Sequence, residues 1–416
     1  MSEKDNLSLI NKKIIRLLRQ RNDLSKSQIA THLKLPWSTV ATNINYLIDH
    51  KYIKSLDGKS TYGAGISLNC AFEYYCGISV GSSNIKVVIC DFSFQISEKR
   101  FFGTSKRFSV FSSVITETLG FDIMNPDVCE WCRKTPNTTE KIRSLLRNIT
   151  LEISKLCPSI NIKGIGYTFP GHINYEKQVI VNSFSNKTTS GFVNVSIDAL
   201  LGASITHELL DKDISFYIDH NIKSSTIAEK EYLQNTNSFY NDENLLVLYY
   251  GKGISLGMVF NNLLYRGNDN RASELGKTRV YVEMIKGDGA YKSLEGAIRE
   301  DVFPDYDSPF FSTDASNLCA FLAESTKTKH RILLINILSQ AIYNITCILG
   351  INKIIFSGKL HMIFKEIEWE LLDKLESMGV TNISLIKSGY KEYSAAMGAA
   401  ISCYYRNNSC DFDWND

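Results

Sequence analysis

The sequence predicts a mixed α/β protein with two unequal regions: a small basic helical module with a wing, followed by a larger α/β body. Three observations predict it. Residues 24–54 read as two short amphipathic helices around a tight turn and then the start of a hairpin. Up to residue 66 there are eleven Lys and Arg against five Asp and Glu, whereas the whole 416-residue chain carries a net charge of only +2. From Tyr74 onward, strand-like apolar runs bounded by glycine turns alternate with helical patterns.

The first helix of the module covers Asn11 to Gln20, with Ile14, Ile15, Leu17 and Leu18 inward and Lys12, Lys13, Arg16 and Arg19 outward. Ser25 and Gln28 form a capping box ahead of a helix that turns Ile29 and Leu33 to one side. Leu35-Pro36 ends it, because the residue before proline is pushed out of the α region. Pro36 then suits the first turn of the next helix. There Val40, Ile44, Leu47 and Ile48 share one face, while Trp37, Ser38, Thr39, Thr42 and Asn43 share the other. Tyr52-Ile53 opens a strand, Leu56-Asp57-Gly58-Lys59 makes a turn and Tyr62 closes a wing. An aliphatic inner stripe with a short, polar, uncharged outer face suits a DNA major groove. The surrounding positive charge suits a phosphate backbone. Lys26, Trp37, Ser38, Thr39, Thr42, Asn43 and Lys59 are therefore the expected DNA-contacting residues. The winged helix-turn-helix is expected to span residues 1–66. A winged-helix module used for protein contacts is the alternative.

An apolar fraction of 44% with only seven prolines argues for an ordered globular protein. The opening MSEKDNLSLI lacks a cationic start followed by an apolar block, so no signal peptide is expected. The longest uncharged run, Ile332 to Asn352, is interrupted by Asn336, Ser339, Gln340 and Asn344 and is expected to be a buried helix rather than a membrane span. Ten scattered cysteines point to reduced thiols in the cytoplasm.

In the body, Tyr74 to Val80 and Ile85 to Asp91 form strands around the turn Gly81 to Asn84. Further on come Gly164-Ile165-Gly166-Tyr167-Thr168-Phe169-Pro170-Gly171, then Val181 to Asn186 with Gly191-Phe192, and Phe216 to Glu229. Asn244 to Gly257, Tyr265 to Lys277, Ile354 to Gly358 and Ser394 to Ala400 complete the series. In this order the segments resemble the ROK family of sugar kinases and sugar-responsive repressors. The resemblance implies a two-lobed, actin/hexokinase-like (ribonuclease H-like) ATPase fold over residues 72–405. The leading winged helix points to the repressor branch. Phe101 to Pro136 reads as an insertion. It holds a lone Cys129-x-x-Cys132, which is half of a zinc site at most, and a redox or metal sensor built on that pair is a rival reading.

The resemblance also implies a catalytic set, and this chain departs from it. Phosphoryl transfer to a sugar needs a base, worth roughly 100- to 10,000-fold in rate. At the family's base position, the Asp of its Glu-Asn-Asp sequence, stands Asn221, whose amide accepts no proton at neutral pH. Ser79 stands for the metal-holding Asp and Asn84 for the Lys of the first phosphate hairpin, with Ser82 replacing a glycine. Lys252 and Ser255 alter the second. Of the family's zinc ligands, the His is Lys277 and the three Cys are Lys286, Asp288 and Ser293, so no zinc is expected there. An ion pair of Lys277 with Asp288 could replace the metal.

No enzyme activity, cofactor or metal is expected. The sugar-contacting set implied by position is Asn186, His220, Asn221, Glu274 and Lys277. Asn221 could instead be a plain turn residue and Glu274 a solvated carboxylate. The expected function is control of carbohydrate genes by a repressor. Its partners would be a double-stranded DNA operator, a sugar or sugar phosphate effector favoured by Lys277, and a second copy in a homodimer. No membrane is expected. The alternative is an ATP-dependent sugar kinase with a DNA-binding appendage.

Overall fold

The computed structural model describes residues 7–56, 65–81, 84–103, 138–157, 159–183, 191–236, 243–251, 253–283, 289–303 and 328–408. Three helices and a hairpin come first. Helix α1 (Leu9–Gln20) is capped by Ser8, whose hydroxyl accepts from the Asn11 N–H. Helix α2 (Lys26–Leu33) carries the capping box in full: Gln28 N–H donates to Ser25 Oγ at 3.2 Å, and Ser25 N–H donates to Gln28 Oε1 at 2.8 Å. Helix α3 (Trp37–Asp49) follows Pro36. Ile14, Ile15, Leu18, Ile29, Val40, Ile44 and Leu47 bury completely between the three. Strand β1 (Ile53–Ser55) pairs antiparallel with β2 (Ile66–Leu68), Ile53 opposite Leu68.

The wing therefore returns later than Tyr62. The returning strand is Ile66–Leu68, because Ile66 and Leu68 are the apolar pair that buries against α1. Lys59 and Tyr62 lie outside the described residues.

The body is built from two five-stranded sheets of the same plan. In the first, β3 (Tyr74–Val80), β4 (Asn84–Asp91) and β5 (Ile96–Gly103) form an antiparallel meander. Helix α4 (Thr138–Leu156) leads to β6 (Ile162–Phe169), which pairs parallel with β3. Strands β7 (His172–Asn174), β8 (Val179–Ser183) and β9 (Phe192–Ser196) make a small separate sheet. After α5 (Ile197–Leu201) and α6 (Ala203–Asp211), β10 (Ser215–His220) adds parallel to β6. The order is β10-β6-β3-β4-β5. The expected insertion from Phe101 begins later, since β5 runs to Gly103; Cys129 and Cys132 lie outside the described residues.

Helix α7 (Asn221–Thr236) crosses to the second lobe. There β11 (Leu245–Tyr250), β12 (Ile254–Phe260) and β13 (Leu263–Leu264) repeat the meander. Strands β14 (Arg279–Val282) and β15 (Ala290–Ser293) form a hairpin ahead of α8 (Leu294–Ala297). Helix α9 (Thr328–Leu349) precedes β16 (Lys353–Gly358), and α10 (Lys359–Met362) and α11 (Phe364–Ser377) precede β17 (Ser384–Lys387). The order β13-β12-β11-β16-β17 matches the first lobe strand for strand, with the same parallel and antiparallel pairings. This duplicated arrangement is the two-lobed ribonuclease H-like fold. Helix α9 is long and apolar enough by length and composition to cross a membrane, but over half of its most apolar window is buried, packed on α11.

The chain closes with α12 (Ser394–Asn407), which packs along α7 and against β3 and β6. The approach is close enough to need glycine. A Cβ on Gly77 would lie 1.8 Å from the Ala396 carbonyl oxygen, and one on Gly398 would lie 1.7 Å from that of Ser224.

Arg19 departs from the sequence pattern. Charge places it on the outer face of the first helix, yet it is buried. Its guanidinium lies over Phe94, Tyr404 and Phe92, at 3.9, 4.2 and 5.0 Å from the ring centroids. Its Nε donates to the Phe92 carbonyl at 3.0 Å. A weakly hydrated, planar cation can be buried this way because ring faces attract it. One continuous apolar core accordingly runs from α1–α3 through β3, β4, α7 and α12 to β11 and β12.

Gly398→Ala is expected to destabilise the protein by about 3 kcal/mol, because overpacking here must push the α7 and α12 backbones away from each other; urea unfolding measures it.

Candidate functional site

Two regions bear on function. The first is the outer face of α3. Trp37 is 43% exposed, Ser38 and Thr42 are exposed, and Thr39 and Asn43 are half-buried. Thr42 Oγ1 donates to the Ser38 carbonyl and Asn43 Nδ2 to that of Thr39. Asn43 Oδ1 accepts from Ser8, and Lys26 Nζ donates to Asn45 Oδ1 at 3.1 Å. The one acid of α3, Asp49, is at its far end. The face is thus open and free of acid along its first three turns.

The second region is the cleft where β10 meets α7. Asp219, the penultimate residue of β10, is fully buried. Arg266, in the loop after β13, reaches it from the other lobe with two parallel hydrogen bonds of 3.0 and 2.9 Å. Asp219 also accepts from Tyr217 Oη at 2.7 Å, from the His220 N–H at 2.7 Å and from Asn270 Nδ2 at 3.3 Å. The Arg266 guanidinium also stacks 3.6 Å over the Tyr175 ring. Burial by itself would raise the Asp219 carboxyl; the Arg266 charge and the donated hydrogen bonds hold it below the usual carboxylate range. Both carboxylate oxygens are occupied, so Asp219 ties the lobes together and is no base.

Next to it, burial pushes the His220 imidazole down to about 4, against the pull of Asp219 and Glu274. The ring is neutral at pH 7. Its Nδ1 accepts from the Ile222 N–H at 3.2 Å, which leaves the proton on Nε2. Asn221 Nδ2 donates to the Val80 carbonyl at 3.3 Å, whereas its buried Oδ1 has no partner among the described residues. One neutral donor and one neutral acceptor therefore stand side by side at the start of α7. Such a pair complements a hydroxyl, with the imidazole Nε2–H donating and the amide Oδ1 accepting.

Glu274 is exposed and forms an ion pair with Lys277 at 2.9 Å. It is close enough to bear electrostatically on both His220 and Lys223. The structure thus brings His220, Asn221 and Glu274 into one neighbourhood. Lys277 pairs with Glu274; Asn186, and the Asp288 suggested as its partner, lie outside the described residues.

Sequence reasoning missed Lys223. This lysine is completely buried on the first turn of α7, and burial followed by the Arg266 charge brings it down to about 7. Its Nζ donates to the carbonyls of Tyr265 and Ala272, both at 3.0 Å, and to Ser273 Oγ at 2.7 Å. It straps down the loop that carries Arg266 and Glu274. The only sequence signal was a lysine in a helix whose neighbours Ser224, Ser225 and Thr226 are small.

The zinc positions that the family resemblance implies do not fit that metal. Lys277 offers an ammonium already paired with Glu274, and the Ser293 hydroxyl accepts from the Gly296 N–H as the cap of α8. Neither is a thiolate or an imidazole. At the metal position of the first hairpin stands Ser79, buried and in register with Thr168 of β6. A hydroxyl brings no charge to offset a divalent cation.

The fold and the cleft define a two-lobed, hexokinase-like body joined to a helix-turn-helix head. The chain belongs to the ROK family, whose model matches residues 127–403. It is 21% identical over 307 residues to the xylose repressor of Staphylococcus xylosus, covering 71% of this chain and 68% of that protein. A ROK family transcriptional regulator described as a homologue of the E. coli MLC protein superposes with a TM-score of 0.65 at 13% identity over 96% of each chain. A ROK family glucokinase from Streptomyces griseus, crystallised with glucose and AMPPNP, superposes with a TM-score of 0.54 at 11% identity over 79% of this chain and 98% of that one. At these identities the two structures establish the fold.

Arg266→Ala leaves Asp219 as an unpaired buried charge and is expected to lower stability by about 3–5 kcal/mol in urea unfolding. His220 sets a pH dependence. Its folded value of about 4 lies below the ordinary 6.5, so between those limits the unfolded chain binds more protons. The stability it contributes is complete above pH 6.5 and is lost as pH falls towards 4. His220→Gln should flatten that acid limb, seen by comparing thermal melts at about pH 5 and about pH 7.

Proposed function

We propose that this protein is a sugar-responsive transcriptional regulator, a repressor whose head binds an operator and whose cleft binds a carbohydrate without phosphorylating it. The observation that carries the reading is Asn221: an amide stands where the family's kinases hold their base, and its buried Oδ1 awaits a donor. Sugars are gripped by groups that satisfy each hydroxyl. His220 and Asn221 supply one donor and one acceptor, and Glu274 supplies a carboxylate nearby. The likeness to a xylose repressor and to a ROK transcriptional regulator supports the regulatory half.

By charge alone, Lys277 would favour an acidic or phosphorylated sugar. Its 2.9 Å contact with Glu274 offsets that charge and favours a neutral sugar instead. In the head, Trp37, Ser38, Thr39, Thr42 and Asn43 would face the groove, with Lys26 and Lys59 on phosphates. With β2 closing the wing, the head is taken to run to Leu68, two residues past the 66 expected from the sequence, and the sensor as residues 72–405. We place the protein in the cytoplasm as a homodimer, since paired recognition helices match half-sites about 34 Å apart.

The test combines thermal shift, ATP turnover and DNA binding, with D-xylose, D-glucose and glucose 6-phosphate as probes. A neutral sugar is expected to stabilise the fold, by about 2.7 kcal/mol at a hundred times Kd, with no ATP consumption. Asn221→Ala should weaken that sugar by roughly tenfold or more and leave sugar-free affinity for DNA unchanged. Sugar-dependent ATP turnover at about 1 per second or faster would establish the kinase reading instead.

A further inference from the structure

Helix α7 touches the cleft at one end and helix α1 of the head at the other. At its first turn, Lys223 holds the Tyr265, Ala272 and Ser273 backbone and side-chain oxygens of the cleft loop. At its last turn, Gln234 Oε1 accepts from an Arg16 guanidinium nitrogen of α1 at 2.9 Å. Just before that, Glu231 accepts from Tyr405 Oη of α12, and the adjacent Tyr404 ring forms one wall of the Arg19 cage. Gln234 is eleven positions along the helix from Lys223, about 16 Å at 1.5 Å per residue. Between them, Ser224 to Glu231 are all buried. The close approach of Gly398 to the Ser224 carbonyl keeps α12 from sliding independently of α7.

The loop at the cleft end is held under load. Ser273 has φ of 114°, a region that side chains avoid, and Asp269 and Asn270 are left-handed as well. Lys223 Nζ to Ser273 Oγ, at 2.7 Å, is one of the bonds that keeps it there.

We propose that α7 is the rod that transmits cleft occupancy to the DNA-binding head. A ligand that displaces the Tyr265–Lys277 loop changes the load on Lys223. The helix answers as a rigid body, and Gln234 and the Glu231–Tyr405 contact pass the shift to α1 and so to α3. The linkage is mechanical; its biological use rests on the regulatory reading above. Residues this far apart with no shared partner normally act independently, within about twofold, so communication along α7 is a demanding prediction.

Amide hydrogen exchange on the full chain tests it without DNA or sugar, and so separately from the regulatory reading. Lys223→Met is expected to speed exchange in the α1 peptides (9–20) by about fivefold or more, with the α11 peptides (364–377) within twofold of the wild type. Ser273→Ala, which removes only one of the three Lys223 bonds, should act in the same direction and decides the matter if Lys223→Met fails to fold. Adding Gln234→Ala, which removes one of the two contacts toward α1, should reduce the further acceleration that either cleft variant causes. Exchange in α1 within about twofold of wild type in the cleft variants, or the same acceleration with Gln234→Ala present, overturns the proposal. Loss of DNA or sugar binding by the wild type would overturn the regulatory reading and leave this result standing.

Discussion

The structure depends on one constraint: polar side chains along α7 are buried, and the charged ones among them are held by partners on other elements. This helix runs through the middle of the molecule, yet beside the aliphatic Ile222, Ile227 and Ala228 it buries Lys223, Ser225, Glu229, Lys230, Glu231 and Gln234. Lys223 binds the cleft loop, Ser225 shares hydroxyl contacts with Ser394 and Ser357, and Lys230 donates to Asn262 Oδ1. Glu229, pushed up to about 7 by burial, accepts from Ser388 and the Gly389 N–H. Glu231 and Gln234 reach α12 and α1. Apolar packing tolerates small slips of register, whereas directed hydrogen bonds tie the surrounding elements to definite places.

The Asp219–Arg266 pair extends the same logic across the lobes. A buried carboxylate is costly unless charge and hydrogen bonds meet it, and Asp219 is met by a guanidinium, a phenol, an amide and a backbone N–H. Burial leaves the adjoining His220 a neutral imidazole against the pull of this acid, and Asn221 beside it is an amide. The electrostatics of the cleft follow from where the pairing partners of Asp219 come from. Tyr217 and the His220 N–H are on the same strand, but Arg266 and Asn270 come from a loop more than forty residues away, which no local pattern reveals.

Much of the head was legible. The Ser25–Gln28 box, Pro36 and the stripe of Val40, Ile44 and Leu47 are local signals, since capping and helical periodicity act within a few residues. Arg19 was misread for the opposite reason. It lies four residues after Ile15, on the inner stripe, but charge argued for the outside. What decides its burial is an aromatic cage drawn from Phe92, Phe94 and Tyr404. The wing was half legible: β1 begins where the pattern says, while the return at Ile66 depends on which apolar pair meets α1.

In the cleft, the sequence could identify Asn221 as an amide in place of an acid, because residue identity alone bears on proton acceptance. It could not show that Lys277 neutralises Glu274, that His220 is uncharged, or that Lys223 straps a loop. By itself the sequence determined the class of fold, the order of its segments and the chemistry lost from individual positions, all of which follow from local propensity and side-chain type. Only the tertiary structure decided which charges are buried, which are paired and which helix joins the cleft to the head. Burial and pairing are properties of distance between groups, and the distances are set by folding rather than by position along the chain.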